Sequence, residues 1–165
     1  MTKAKVKNEK KLREKECVKQ FLKNCNIEFE ETEVKSNEIE NDVVDVFFQD
    51  KKFQIVSADF ELQKLRTITP KDENGVITID RPARQPNDVW RDFINNPILK
   101  KNKYGNSAKG VILLIDSYHA KPPWIENDLN IGKRLNLSLP SFINNLRFDE
   151  IYLVCPNKNI KVYPL

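Results

Sequence analysis

Apolar residues in this chain cluster in short blocks, and their spacing changes along its length. From about Asn8 to Asn24 the positions Leu12, Val18, Phe21, Leu22 and Cys25 recur at helical intervals, which predicts one amphipathic helix with a long basic face. Residues 1–8 are Lys-rich and read as a frayed basic tail. The acidic stretch from Glu28 to Asn41 has little periodicity and reads either as a short edge strand at Ile27 and Phe29 with a loop, or as loop throughout. Val43–Phe48 and Phe53–Val56 are β-branched and aromatic, with the polar run Gln49-Asp50-Lys51-Lys52 between them. That pattern predicts a hairpin with a connection of about four residues.

The segment 59–66 continues as a strand or begins a helix, and 67–85 is the loosest part of the chain. Within that loose part Val76-Ile77-Thr78-Ile79 is a candidate short strand. Asn87 is a candidate N-cap for a helix through Val89, Trp90, Phe93 and Ile94 that Pro97 interrupts or ends. A short segment through Ile98 and Leu99 would follow it. The unbroken apolar run 110–115 suits a strand buried on both faces at the centre of a sheet. Segment 125–136 is ambiguous. Pro140 suits the first turn of a helix burying Phe142, Ile143 and Leu146, and strands at 150–155 and 160–163 close the chain. The order predicts one α/β domain over 1–165, a mixed central β-sheet flanked by helices, with Val111–Ile115 between strands at Val43–Phe48 and Ile151–Val154.

Composition narrows the chemistry. Hydrophobic residues make up 39% of the 165, enough for a real core, and the 32% charged residues predict a solvated surface. The longest apolar run, Val111–Ile115, falls far short of the roughly 20 residues that span a bilayer. The basic N-terminus lacks an apolar segment after it, so no secretory signal is expected and the chain reads as cytoplasmic, without a membrane partner. Four glycines argue against a glycine-rich phosphate loop. Three scattered cysteines and a single histidine, His119, argue against a Cys/His zinc site.

The net charge of +4 hides an asymmetry: residues 1–23 carry nine Lys/Arg against three Glu, and residues 26–50 carry nine Asp/Glu against one Lys. A basic arm beside an acidic patch suits a polyanion partner and a metal site, and a solvated helix face beside a solvated loop is the plainer reading. Lys15, Lys19 and Lys23 on the helix, and Lys100, Lys101 and Lys103 beside Tyr104, are the candidate contacts to a phosphate backbone.

One segment carries candidate chemistry: Asp45 near one strand end, the hairpin, and Gln54 on the next strand. Phe53 and Ile55 share one face and Gln54 and Val56 the other. Such a pair of oxygen donors can converge on Mg²⁺, which activates water and stabilises charge on a phosphodiester. The candidates Asp59, Glu61, Asp116, His119, Trp90 and Trp124 read more plainly as surface or packing residues.

The segment Asp45–Val56 resembles the PD-(D/E)xK nuclease superfamily, the restriction-endonuclease-like fold. The run Phe148–Val154 after Val111–Asp116 is similar to the later strands of that fold, so the likeness loosely covers 8–165. The resemblance implies Asp45 as the first metal ligand, Gln54 as the second, and Glu14 or Glu16 as a helix ligand. It places Val56 where the family has the lysine that positions water and phosphate. Lys52, Lys64 or Lys103 would then have to substitute in space. The implied function is a nuclease-like domain with reduced or lost catalysis that binds nucleic acid or a protein partner in a defence or DNA-processing system. The alternative is an active Mg²⁺-dependent endonuclease.

Overall fold

Cys17, Val18, Phe21 and Leu22 are all buried, and together they dock helix α1 (Lys3–Asn24) on one face of a sheet. The computed structural model describes residues 2–58, 68–78, 94–117 and 147–164. Thr2 caps α1, its Oγ1 accepting from the Lys5 amide at 3.3 Å, so residues 3–8 are helical and not a frayed tail. No residue before Glu14 is buried, and Leu12 is 55% exposed. The helix is therefore held by its second half, and its basic first half carries no core contact. Cys25 is also exposed, as the C-cap residue.

After a 3₁₀ turn at Glu31–Glu33 come β1 (Val34–Ser36), β2 (Val46–Phe48) and β3 (Lys51–Ser57). The edge strand thus lies at Val34–Ser36, not at Ile27 and Phe29. The hairpin turn is two residues, Gln49 and Asp50, with Gln49 at φ 53°, tighter than the four-residue connection the polar run suggests. Helix α2 (Asn96–Lys101) follows, then a 3₁₀ segment Asn102–Ala108, β4 (Val111–Asp116), β5 (Glu150–Val154) and β6 (Asn159–Tyr163). Pro97 stands in the first turn of α2, where its missing N–H costs nothing, so it opens this segment.

The sheet is six-stranded and mixed, in the order β1-β2-β3-β4-β5-β6. Strands β1, β2 and β3 form an antiparallel meander, β3, β4 and β5 run parallel, and β6 returns antiparallel to β5. The apolar run 111–115 is central and buried, as its composition requires. Its neighbour, however, is β3 and not the Val43–Phe48 segment, which sits one strand further out. The reason is visible in β3: Phe53, Gln54, Ile55 and Val56 are all buried, so this strand is covered on both faces like an inner parallel strand.

Two apolar clusters fill the two faces. On the α1 face Phe21 meets Phe53 and Tyr152 edge-on, at ring-centroid distances of 5.6 and 5.0 Å, above Ile55 and Leu114. On the opposite face Ile94 and Ile98 pack over Val56, Leu113, Ile115 and Leu153. Val76–Thr78 is not in a strand. The expected helix from Asn87 up to residue 93, the helix after Pro140, segment 125–136 and all of 59–66 lie outside the described residues. No described helix is long and apolar enough to cross a membrane.

Leu113 pairs with Gln54 on one side and Ile151 on the other and is fully buried. Leu113→Ala should therefore cost about 2–5 kcal/mol of unfolding free energy, read from urea denaturation midpoints. A loss under about 1 kcal/mol would contradict a close-packed central position.

Candidate active site

The antiparallel pairing of β2 and β3 ends at Asp45. Its amide donates to the Phe53 carbonyl at 2.8 Å, and its Oδ2 accepts the Ile55 amide at 2.9 Å. Phe53 and Ile55 point their backbone groups to the same strand edge, so the carboxylate takes the N–H that a further β2 carbonyl would otherwise receive. The same Oδ2 accepts a hydrogen bond from Gln54 Nε2. Gln54 is wholly buried in β3, and its Oε1 has no hydrogen-bond partner among the described residues. A buried amide oxygen left unpaired costs about 1–3 kcal/mol, so this atom is the least satisfied polar group at the site. On the other side Asn37 holds the chain leading into Asp45. Its amide donates to the Asp45 carbonyl at 2.8 Å, and its Nδ2 to the Val44 carbonyl at 2.8 Å and to Asp42 Oδ2 at 2.7 Å.

Asp45 opens into a cleft of about 350 Å³ whose walls come from α1, the loop 37–45 and the end of α2. Glu14, 8% exposed, projects from α1 into it. Burial, and secondarily the charge of Asp45, push the Glu14 carboxyl up to about 7, against the pull of Lys10, whose Nζ lies 3.7 Å away one helical turn back. Lys101, the last residue of α2, lines the same cleft. Burial brings its ammonium down to about 8, and the attraction of Asp45 works against that fall. Tyr104 lies beside them, with Lys103 Nζ 5.2 Å and Lys101 Nζ 6.0 Å from its ring centre. Its phenol is raised by burial and then by Asp45, Asp42 and Glu14.

The residues singled out from the sequence divide clearly. Asp45 and Gln54 are in contact. Glu14, not Glu16, shares their site, because Glu16 is exposed on another side of α1 and pairs with Lys19 at 3.0 Å. Lys52 is exposed on β3 and does not line the cleft, whereas Lys100, Lys101 and Lys103 do. Lys64 and His119 lie outside the described residues. Lys15, Lys19 and Lys23 turn towards the acidic segment around Glu31. The Lys19 ammonium, far from solvated, sits between Glu16 and Glu31, at 3.0 and 2.5 Å. Asp116 lines a different cavity, with Arg13, Glu16 and Cys17.

Val56 is 4% exposed and belongs to the apolar cluster of Ile98, Leu113 and Ile115. The position is not a vacant slot facing the cleft, and a lysine there would bury an ammonium among aliphatic side chains.

The lysines of α1 that do reach the cleft are Lys7, Lys10 and Lys11. The signal for them was present: positions 7, 10, 11 and 14 fall on one helical face. For Lys7 the expected frayed tail over residues 1–8 obscures it, whereas Lys10 and Lys11 already fall within the expected helix. Among the described residues no group of three or more His, Cys, Asp or Glu side chains is arranged to hold a metal ion. Four carboxylates line the cleft, those of Glu14, Glu40, Asp42 and Asp45, while Gln54 is wholly buried behind Asp45 and does not line it. Carboxylate oxygens are hard donors of the kind Mg²⁺ takes, one or two at a time, while keeping several waters. Comparison with protein families, curated proteins and solved structures finds no match for this chain.

The folded chain holds the Glu14 proton more tightly than the unfolded chain does, so this residue lowers stability as pH rises from about 4.5 through about 7. Glu14→Gln should therefore gain about 1–3 kcal/mol on the wild type between pH 4 and pH 8, read as the difference in urea midpoints. A stability difference that does not move between these two pH values would show that Glu14 is solvated.

Proposed function

We propose that the cleft is the active site of a divalent-cation-dependent nuclease that hydrolyses phosphodiester bonds. The observation that carries this reading is Lys101, whose side chain lines the same cleft as Asp45, from the end of α2, while the strand position of the PD-(D/E)xK motif holds Val56. The order of elements supports the same superfamily: a helix bearing Glu14, an antiparallel hairpin bearing Asp45 and Gln54, then two parallel strands. A decayed site is the weaker reading, because it rests on Val56 alone.

Asp45 and Glu14, which both line the cleft, would hold the cation, with Gln54 donating to Asp45 from behind. Bound there, it would supply Lewis-acid polarisation of the phosphate and a lowered pKa for water. Everything else falls to the chain's own side chains. Asp45 is fixed by the Ile55 amide and so presents its remaining oxygen in one direction. Lys101 can donate hydrogen bonds to a non-bridging phosphate oxygen and places positive charge where negative charge develops as water attacks. Its lowered pKa also lets it give up a proton near neutral pH. Lys10, Lys100 and Lys103 line the approach and offset the charge of neighbouring phosphates. Protonated Glu14 is a poor ligand, so cation binding and ionisation of Glu14 are linked.

The test is cleavage of plasmid and single-stranded DNA and of RNA under Mg²⁺ or Mn²⁺. Asp45→Asn and Lys101→Met should each lower the rate by at least about 10²-fold. The rate should rise as Glu14 ionises and fall above about pH 8 as Lys101 loses its proton. Lys101→Arg should move the alkaline limb upward, because a guanidinium stays charged. Absence of cleavage with every substrate, together with DNA binding that persists, would replace the nuclease with a nucleic-acid-binding module. Cleavage insensitive to Asp45→Asn would place the chemistry elsewhere.

A further inference from the structure

We infer that the acidic loop Glu38–Asp42 is an autoinhibitory strap: in the free protein it occupies phosphate-binding lysines of α1, and an incoming strand has to displace it. This inference rests on the nucleic-acid reading of the cleft and adds its regulation. Lys7 pairs with Glu40, and Lys11 Nζ lies 2.7 Å from Glu38 Oε2. Both lysines line the cleft on the helical face that carries Glu14, and the strap forms the facing rim with Ile39, Glu40, Asn41 and Asp42. A phosphate backbone entering the cleft therefore meets carboxylates on one rim and lysines already neutralised by those carboxylates on the other.

The way the strap is held suits displacement. Its two ends are fixed by Asn37, which bonds Asp42 and the backbone of Val44 and Asp45, so the loop does not need the ion pairs to keep its base. Asn41 turns the chain at φ 60°, and Ile39 is 70% exposed at the tip with nothing apolar holding it down. The tip is tethered by the Lys7 and Lys11 pairs, which involve exposed carboxylates, and such pairs contribute little and weaken further with salt. Several phosphates can exchange for them at small cost. Each displaced carboxylate then regains cations from solution, which reduces the net ion release on binding.

The experiment measures fluorescence anisotropy of a short labelled DNA duplex with a phosphorothioate backbone, which resists cleavage, in Mg²⁺ over a series of salt concentrations. The proteins are the wild type, Glu38→Gln/Glu40→Gln, and a control with the same charge change away from the cleft, Glu28→Gln/Glu73→Gln. The strap variant should bind about three- to tenfold tighter than wild type, with a steeper salt dependence, while the control stays near wild type. Equal tightening in both variants would make the effect one of net charge and overturn the strap, as would a strap variant that binds like the wild type. No binding by any of the three proteins would overturn the nucleic-acid reading itself, and the strap with it.

Discussion

The carboxylate of Asp45 fixes the geometry on which the site depends. By accepting the Ile55 amide it ends the β2–β3 pairing at one point, beside the cleft walled by α1, the loop 37–45 and the end of α2. By accepting from Gln54 it sets the orientation of the one polar side chain wholly buried inside β3. Its backbone carbonyl receives Asn37, which sets where the loop 38–43 begins and how it can reach α1. One side chain thus connects the edge of a packed parallel sheet to the rim of a polar opening. The packing behind it supplies the rigidity: β3 is held between β2 and β4 with both of its faces covered. A site residue attached to such a strand moves little.

The charges around Asp45 conflict, and the conflict is the chemical content of the cleft. Glu14 and Asp45 are carboxylates that repel one another in a partly dehydrated space, and burial adds to the cost of ionising Glu14. Lys101 is likewise made less basic by burial and by neighbouring lysines, and Asp45 pulls the other way. Each group titrates closer to neutrality than it would in water. Perturbed titrations of opposite direction in one cleft mark candidate sites for a charged ligand. A cation between the carboxylates would relieve the repulsion and lower the Glu14 pKa at once. A phosphate beside Lys101 would favour its charged form.

The sequence made the frame legible where burial was uniform. The run 111–115 had to be an inner strand, and the period of Val18, Phe21 and Leu22 had to be one helical face. Asp45 and Gln54 were legible as a pair because a hairpin brings nearby residues together. Lys101 was not, since it lies nearly fifty residues beyond Gln54 and reaches the site only through the seating of α2 on the far face of the sheet. Strand neighbours are illegible for a related reason: local spacing shows β3 only as one half of a hairpin, while its four consecutive buried residues belong to a parallel pairing with a distant strand. Charge alone does not divide the basic face of α1: Lys19 and Lys23 face the acidic segment around Glu31, and Lys7 and Lys10 face the cleft, where they meet Glu40 and Glu14.

The proposed site depends on Glu14 and Asp45 being electrostatically coupled around one cation. The direct measurement is a ¹³C NMR titration of the Glu14 side-chain carboxyl, with and without Mg²⁺. The account predicts an apparent pKa of about 7 in the free protein, falling by more than about one unit when Mg²⁺ is added, since a cation favours the ionised form. It predicts a clear fall in the free protein as well when Asp45 is replaced by Asn. A Glu14 that titrates like an exposed carboxylate, or one whose pKa is unmoved by both Mg²⁺ and the Asp45 replacement, would contradict it.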